Sequence, residues 1–391
     1  MVSPQDLDAI TVDDLRARGG IKWSTYPDSI GAFVAEMDFG VAPGIARALH
    51  TAVDDAQFGY LPPSLVRTMS EAVSEWYARR HGWQISPERI HPLPDVIKAL
   101  EVAMEHFSGR GEKVIVTTPA YMPFLKIPEL FGREIIRVPM LLDDDDGVWR
   151  LDLDGIGRAF ADGAGLLVLC NPYNPLGRVF GREELAALAD VVTAHGGRVF
   201  SDEIHAPLVY PGAHHVPYAS ISEAAASHTV TATSASKAWN LPGLKCAQLL
   251  LSNAADAVEW EKFGFMASHG AANLGVIANT AAFTSGEGWL EEIVTYLDGN
   301  RRLLGELLTE HLPDVGYSPP EGTYLAWLDC RELELGAAPG DFFREHAGVA
   351  MVDGAACGEE GFVRLNFALP RPVLAQAIEQ MGTAVAGRHA A

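Results

Sequence analysis

Basic residues are scarce in this chain of 391: 29 Lys and Arg stand against 51 Asp and Glu, a formal charge of −22. Such an excess of acid repels nucleic-acid backbones and anionic bilayers, so neither is an expected partner. A small anionic ligand stays possible, because a few lysines and backbone amides can dominate the field of one cleft. Long apolar runs are missing too. No stretch approaches the ~18 uninterrupted apolar residues of a membrane span, and Met1 to Ile10, which carries Asp6 and Asp8, lacks the basic-then-apolar pattern of a secretory leader. The only cysteines, Cys170, Cys246, Cys330 and Cys357, are scattered with no CxxC pair. That argues against a disulfide framework and predicts reduced, buried thiols in a cytoplasmic protein. Neither GxGxxG nor a Walker loop occurs, so nothing suggests nicotinamide or ATP binding. No internal repeat or low-complexity linker interrupts the chain. The acidic run Asp143 to Asp146 reads as a solvated turn, and no metal site is expected.

What is present begins with length. A chain of 391 residues, 48% hydrophobic and 20% charged, exceeds one small core, so a large and a small domain are expected. Residues 1–45 look irregular, punctuated by Gly19-Gly20, Pro27 and Pro43, and predict an arm packing on the small domain. Residues 46–285 alternate helical and β-rich segments. Helices are predicted over about Ser64–Arg80, from Pro94-Asp95 to Gly109, and over Arg182–His195. Strands are predicted at Lys113–Thr118, Glu134–Val138, Gly165–Cys170, Arg198–Ser201, Thr229–Thr233 and Cys246–Leu251. That alternation implies an α/β fold with a largely parallel sheet covered on both faces. A long helix over about Gly288–His311 then leads into residues 286–391, which look like a smaller α+β domain.

Ligands bind beyond the carboxyl ends of the strands in open parallel sheets. Four clusters fall there: Thr118-Pro119-Ala120-Tyr121, Asn171 to Gly177, Asp202-Glu203-Ile204-His205, and Ser234 to Lys237. Singly, each has a bland reading as a rigid turn, a helix cap, a core aromatic or a surface lysine. Together they supply what pyridoxal phosphate needs: a lysine for the Schiff base, a carboxylate for the ring nitrogen, an amide for the ring oxygen and an aromatic to stack.

These motifs resemble the fold-type I pyridoxal-phosphate enzymes of the class I/II aminotransferase-like family. The chain is most similar to the cystathionine β-lyase and cysteine-S-conjugate β-lyase branch represented by the MalY and PatB proteins. Ala35-Glu36-Met37-Asp38-Phe39, Phe58-Gly59-Tyr60, Arg80-His81-Gly82-Trp83, Asn171-Pro172 with Asn174-Pro175, Ser201 to His205 and Gly286 to Leu290 carry the likeness. The resemblance implies that Lys237 bonds the cofactor and moves the Cα proton, that Asp202 pairs with the ring nitrogen, and that Asn174 and His205 meet the ring oxygen. By the same resemblance, Tyr121 would stack on the ring, and Ser234, Ser236, Lys245 and the amides of Val96 and Ile97 would surround the phosphate. Tyr60 would reach the neighbouring subunit's phosphate, which implies a homodimer with composite sites. Arg364 clamps the substrate α-carboxylate, with Asn174 beside it.

Two positions depart from the family pattern. Asp95 stands where the phosphate turn has glycine, and Lys245 where an arginine is usual. The reaction implied is α,β-elimination from L-cystathionine or cysteine S-conjugates to thiol, pyruvate and ammonia, in sulfur amino-acid metabolism and methionine biosynthesis. A broad-specificity aminotransferase is the alternative, and a regulatory protein retaining the fold is a third reading.

Overall fold

The computed structural model describes residues 3–143 and 147–389, so Asp144, Asp145 and Asp146 of the acidic run lie outside the described residues. Seven strands form the main sheet: β1 (Ile90–Leu93), β2 (Lys113–Thr118), β3 (Ile135–Pro139), β4 (Ala164–Cys170), β5 (Arg198–Asp202), β6 (Thr229–Thr233) and β7 (Ala247–Leu251). Their spatial order is β1-β7-β6-β5-β4-β2-β3. Neighbours pair in parallel except around β7, which runs antiparallel to both β1 and β6. Strands β6 and β7 are buried along their whole length. This burial accounts for their apolar and β-branched composition, since a sheet covered on both faces has no polar side to show.

The main helices are α1 (Pro63–His81), α2 (Val96–His106), α3 (Arg182–His195), α4 (Asn273–Ser285), α5 (Glu287–His311) and α6 (Arg371–His389). Asp95 caps α2, accepting the Lys98 amide at 2.8 Å. Gly82 and Gly196, both at positive φ, end α1 and α3 in the left-handed conformation that glycine adopts without steric cost. Four shorter strands form an antiparallel sheet: β8 (Gly316–Tyr317), β9 (Leu325–Asp329), β10 (Val352–Asp353) and β11 (Phe362–Asn366), in the order β8-β9-β11-β10. Helices α5 and α6 pack on each other beside it.

Three features depart from the sequence-based expectation. Strand β1 was not anticipated, because Pro92 interrupts its pattern; β1 is an edge strand, where a missing N–H costs little. Strand β7 is antiparallel because the chain turns back after β6, through a helical turn (Ala235–Ala238) and a second turn (Pro242–Leu244), instead of crossing over. The N-terminal segment is not irregular. It holds three short helices, Pro4–Asp8, Val12–Arg18 and Ile21–Ser24, the first two opened by capping boxes from Ser3 with Asp6 and Thr11 with Asp14.

After these helices, Ile30–Gly31 pairs in parallel with Val349–Ala350. The strap from Phe33 to Asp38 then runs between the two sheets. Its carbonyls accept from side chains of β11 and of the segment after β6: Arg364 at Phe33, Asn366 at Val34 and Glu36, Lys237 at Ala35, and Asn240 at Met37. A buried ion pair, Lys22 Nζ to Asp38 Oδ2 at 3.0 Å, anchors it from beneath, and Trp23 Nε1 donates to the other oxygen of Asp38. All four cysteines are free and buried. Among the described residues no helix is long and apolar enough to cross a membrane.

Candidate active site

A cavity of about 190 Å³ opens at the carboxyl ends of β2, β4, β5 and β6. Its lining includes Val96, Ile97, Tyr121, Asn174, Asp202, His205, Ser234, Ser236, Lys237 and Lys245. Residues expected from widely separated stretches of sequence therefore share one space. Arg364 joins through Asn174, whose Oδ1 accepts from its guanidinium at 2.9 Å. Tyr60 is not among them. It is 92% exposed and lies in a neighbouring open cleft that shares Lys245 with the cavity.

The strands dictate these positions. Asp202 is the last residue of β5, fully buried, and its Oδ1 accepts the Ile204 amide at 3.0 Å. Burial, more than any neighbour, pushes its carboxyl up to about 7. A carboxylate buried this way calls for a cationic partner inside the cavity. Lys237 sits in the helical turn after β6, and its Nζ donates to the Ala35 carbonyl at 2.9 Å. Burial, with the Arg364 guanidinium adding to it, lowers this amine to about 8. His205 is buried with Nδ1 unpartnered, and burial holds its imidazole near 3, so the ring is neutral at ordinary pH.

At the other end of the cavity, Val96 and Ile97 open α2, where backbone amides point at whatever anion sits there. Ser234 behaves differently from the expectation of a simple phosphate contact. Its hydroxyl gives its hydrogen to the Cys246 carbonyl at 2.7 Å and its oxygen accepts the Ser236 amide, so it caps the turn that presents Lys237. Asp95 and Lys245 form an ion pair at 3.0 Å.

Other residues of the site were not singled out in the sequence. Tyr324 donates to the same Ala35 carbonyl that takes Lys237, at 2.9 Å. Behind Asp202, Glu203 is fully buried and accepts from Ser201 Oγ, the Tyr218 amide and His215 Nε2. Cys170 and Cys246 line the cavity. A backbone carbonyl carries no residue-type signal, whereas Glu203 lay within a cluster already marked for Asp202.

An amine, a buried carboxylate, an unpartnered imidazole, an aromatic and a helix N-terminus around one cavity are the set that a pyridoxal ring with its phosphate requires. Fold and site together define a fold-type I pyridoxal-phosphate enzyme. The aminotransferase class I and II family model matches residues 34–381. A cystathionine beta-lyase of Corynebacterium glutamicum is 39% identical, covering 95% of this chain and 98% of its own length. Among solved structures, a protein assigned as a pyridoxal-phosphate-dependent beta-cystathionase from Corynebacterium diphtheriae superposes with a TM-score of 0.90 at 42% identity, covering 96% of this chain and 98% of that one. Cystalysin from Treponema denticola, whose structure contains pyridoxal 5'-phosphate, gives a TM-score of 0.90 at 28% identity over 97% and 98% of the two chains. The chain belongs to the aminotransferase class I and II family.

Proposed function

We propose that the protein is a carbon–sulfur β-lyase that cleaves L-cystathionine or related cysteine S-conjugates to a thiol, pyruvate and ammonia. Its nearly full-length likeness to a cystathionine beta-lyase carries this reading, since an aminotransferase would use the same lysine, carboxylate and arginine. Pyridoxal phosphate supplies an electron sink that acidifies the substrate Cα–H.

This chain's residues do the rest. Asp202 holds the ring nitrogen protonated, which is what a buried carboxylate with a raised pKa gains by meeting a cation. Asn174, neutral His205 and Tyr121 line the same cavity; the first two would hold the ring oxygen and Tyr121 would cover the ring face. Arg364 takes the substrate α-carboxylate on its planar fork. Its guanidinium is buried and already oriented by Asn174 Oδ1 and the Phe33 carbonyl, so little motion is needed on binding. Lys237 Nζ removes the Cα proton, and its pKa near 8 suits a general base working close to neutrality. The Ala35 carbonyl, 2.9 Å away, is where that amine rests when not bonded to a ligand. The electron pair of the broken Cα–H bond forms the Cα–Cβ double bond, the thiolate leaves with the Cβ–S pair, and water converts the remainder to pyruvate and ammonia.

The arm (1–45) and the segment 286–391 close one side of this site, while 46–285 holds the cofactor. A homodimer in the cytoplasm is the proposed setting, with Tyr60 completing the partner subunit's phosphate site. The reading is tested by supplying L-cystathionine with and without an α-keto acid. A lyase releases thiol and pyruvate in both cases; no thiol in either, with amino transfer to the added keto acid, assigns the protein to the aminotransferases instead.

A further inference from the structure

The two residues that the sequence set apart, Asp95 and Lys245, meet in space. Lys245 Nζ lies 3.0 Å from Asp95 Oδ2, while Asp95 Oδ1 takes the Lys98 amide at 2.8 Å. One carboxylate thus occupies both a lysine and the third amide of α2, and both residues line the cavity beside Val96 and Ile97. Neither role demands a charge at position 95. Asn or Ser would cap the helix as well, and an ion pair whose side chains are 60% and 40% exposed adds little to stability.

A phosphate monoester brings between one and two negative charges to this end of the cavity. There it meets a lysine already neutralised and a carboxylate that repels it. We infer that Asp95 is a built-in competitor for the cofactor's phosphate: it holds Lys245 and the Lys98 amide when phosphate is absent and weakens the grip on phosphate when it is present. At this end of the cavity the phosphate then depends chiefly on the amides of Val96 and Ile97. This inference rests on the pyridoxal-phosphate reading of the cavity, and it goes beyond that reading by assigning a role to Asp95.

The test is a binding titration of the full-length chain stripped of cofactor, with pyridoxal phosphate and, separately, with pyridoxal, which lacks the phosphate. The visible absorption band gives the dissociation constants. In Asp95→Asn, and equally in Asp95→Ser, pyridoxal phosphate binds about tenfold more tightly while pyridoxal is unchanged. Lys245→Met weakens pyridoxal phosphate binding more in the Asp95→Asn background than in the parent chain, because Lys245 is no longer neutralised there. If Asp95→Asn and Asp95→Ser bind pyridoxal phosphate no more tightly than the parent, Asp95 orients Lys245 and does not compete, and the inference fails. A parent chain that gives no visible band with either ligand overturns the cofactor reading itself, an outcome distinct from the direction of the shift.

Discussion

The chemistry turns on a few buried charges whose surroundings favour their neutral forms. Asp202 illustrates the consequence for stability. Its carboxyl is raised from the ordinary range to about 7, mainly by burial. Below the ordinary carboxyl range both folded and unfolded chains hold the proton, and the residue is indifferent to pH. As pH climbs toward 7 the unfolded chain releases its proton first, so the cofactor-free fold loses stability, by on the order of a few kcal/mol once above 7. Replacing Asp202 by Asn should therefore stabilise the cofactor-free protein increasingly between about pH 4 and 7 and by a constant amount above. Urea midpoints at a series of pH values measure this, and a difference independent of pH would contradict it. Arg364 faces the substrate. Arg364→Leu should lower kcat/KM by about 10²–10³-fold, the range expected when one partner of a buried, hydrogen-bonded charge pair is removed. Arg364→Lys should recover only part of it, because ammonium lacks the fork.

At the level of elements, strands and helices with strong local patterns were legible in the sequence: α3, β2 and β6 begin and end where periodicity places them. Asn174, Asp202 and Lys237 could be picked out because each follows a β-rich run and differs chemically from its surroundings. Less was legible where structure depends on distant partners. Strand β1 is a strand because β7 pairs with it, despite Pro92. The strap Phe33–Asp38 meets Lys237 through the Ala35 backbone carbonyl, and the Asp95–Lys245 pair joins residues 150 apart. The strap also has the clearest energetic test. Its anchor, Lys22 with Asp38, is almost fully buried, so removing one partner strands a charge. Asp38→Ala should cost about 3–5 kcal/mol, and Lys22→Met with Asp38→Leu should restore most of it. Chemical denaturation decides between this and an additive double variant.

For the whole molecule, the exposed Phe58, Tyr60, Phe265 and Met266 matter most. All but Met266 line one open cleft, adjoining the cavity through Lys245. A rim this apolar is what a second subunit would cover. If Tyr60 serves the partner's phosphate, a mixture of Tyr60→Ala and Lys237→Ala chains, dissociated and reassociated together, should regain part of the activity each lacks alone. Independent sites within each chain would give no such recovery.

If this assembly breaks a carbon–sulfur bond by elimination, the stoichiometry of its products shows it. Purified protein given L-cystathionine and no keto acid should release thiol and pyruvate in equal amounts, and Lys237→Ala should release neither. Absence of pyruvate from the parent protein, with amino groups passed instead to an added keto acid, would contradict the account.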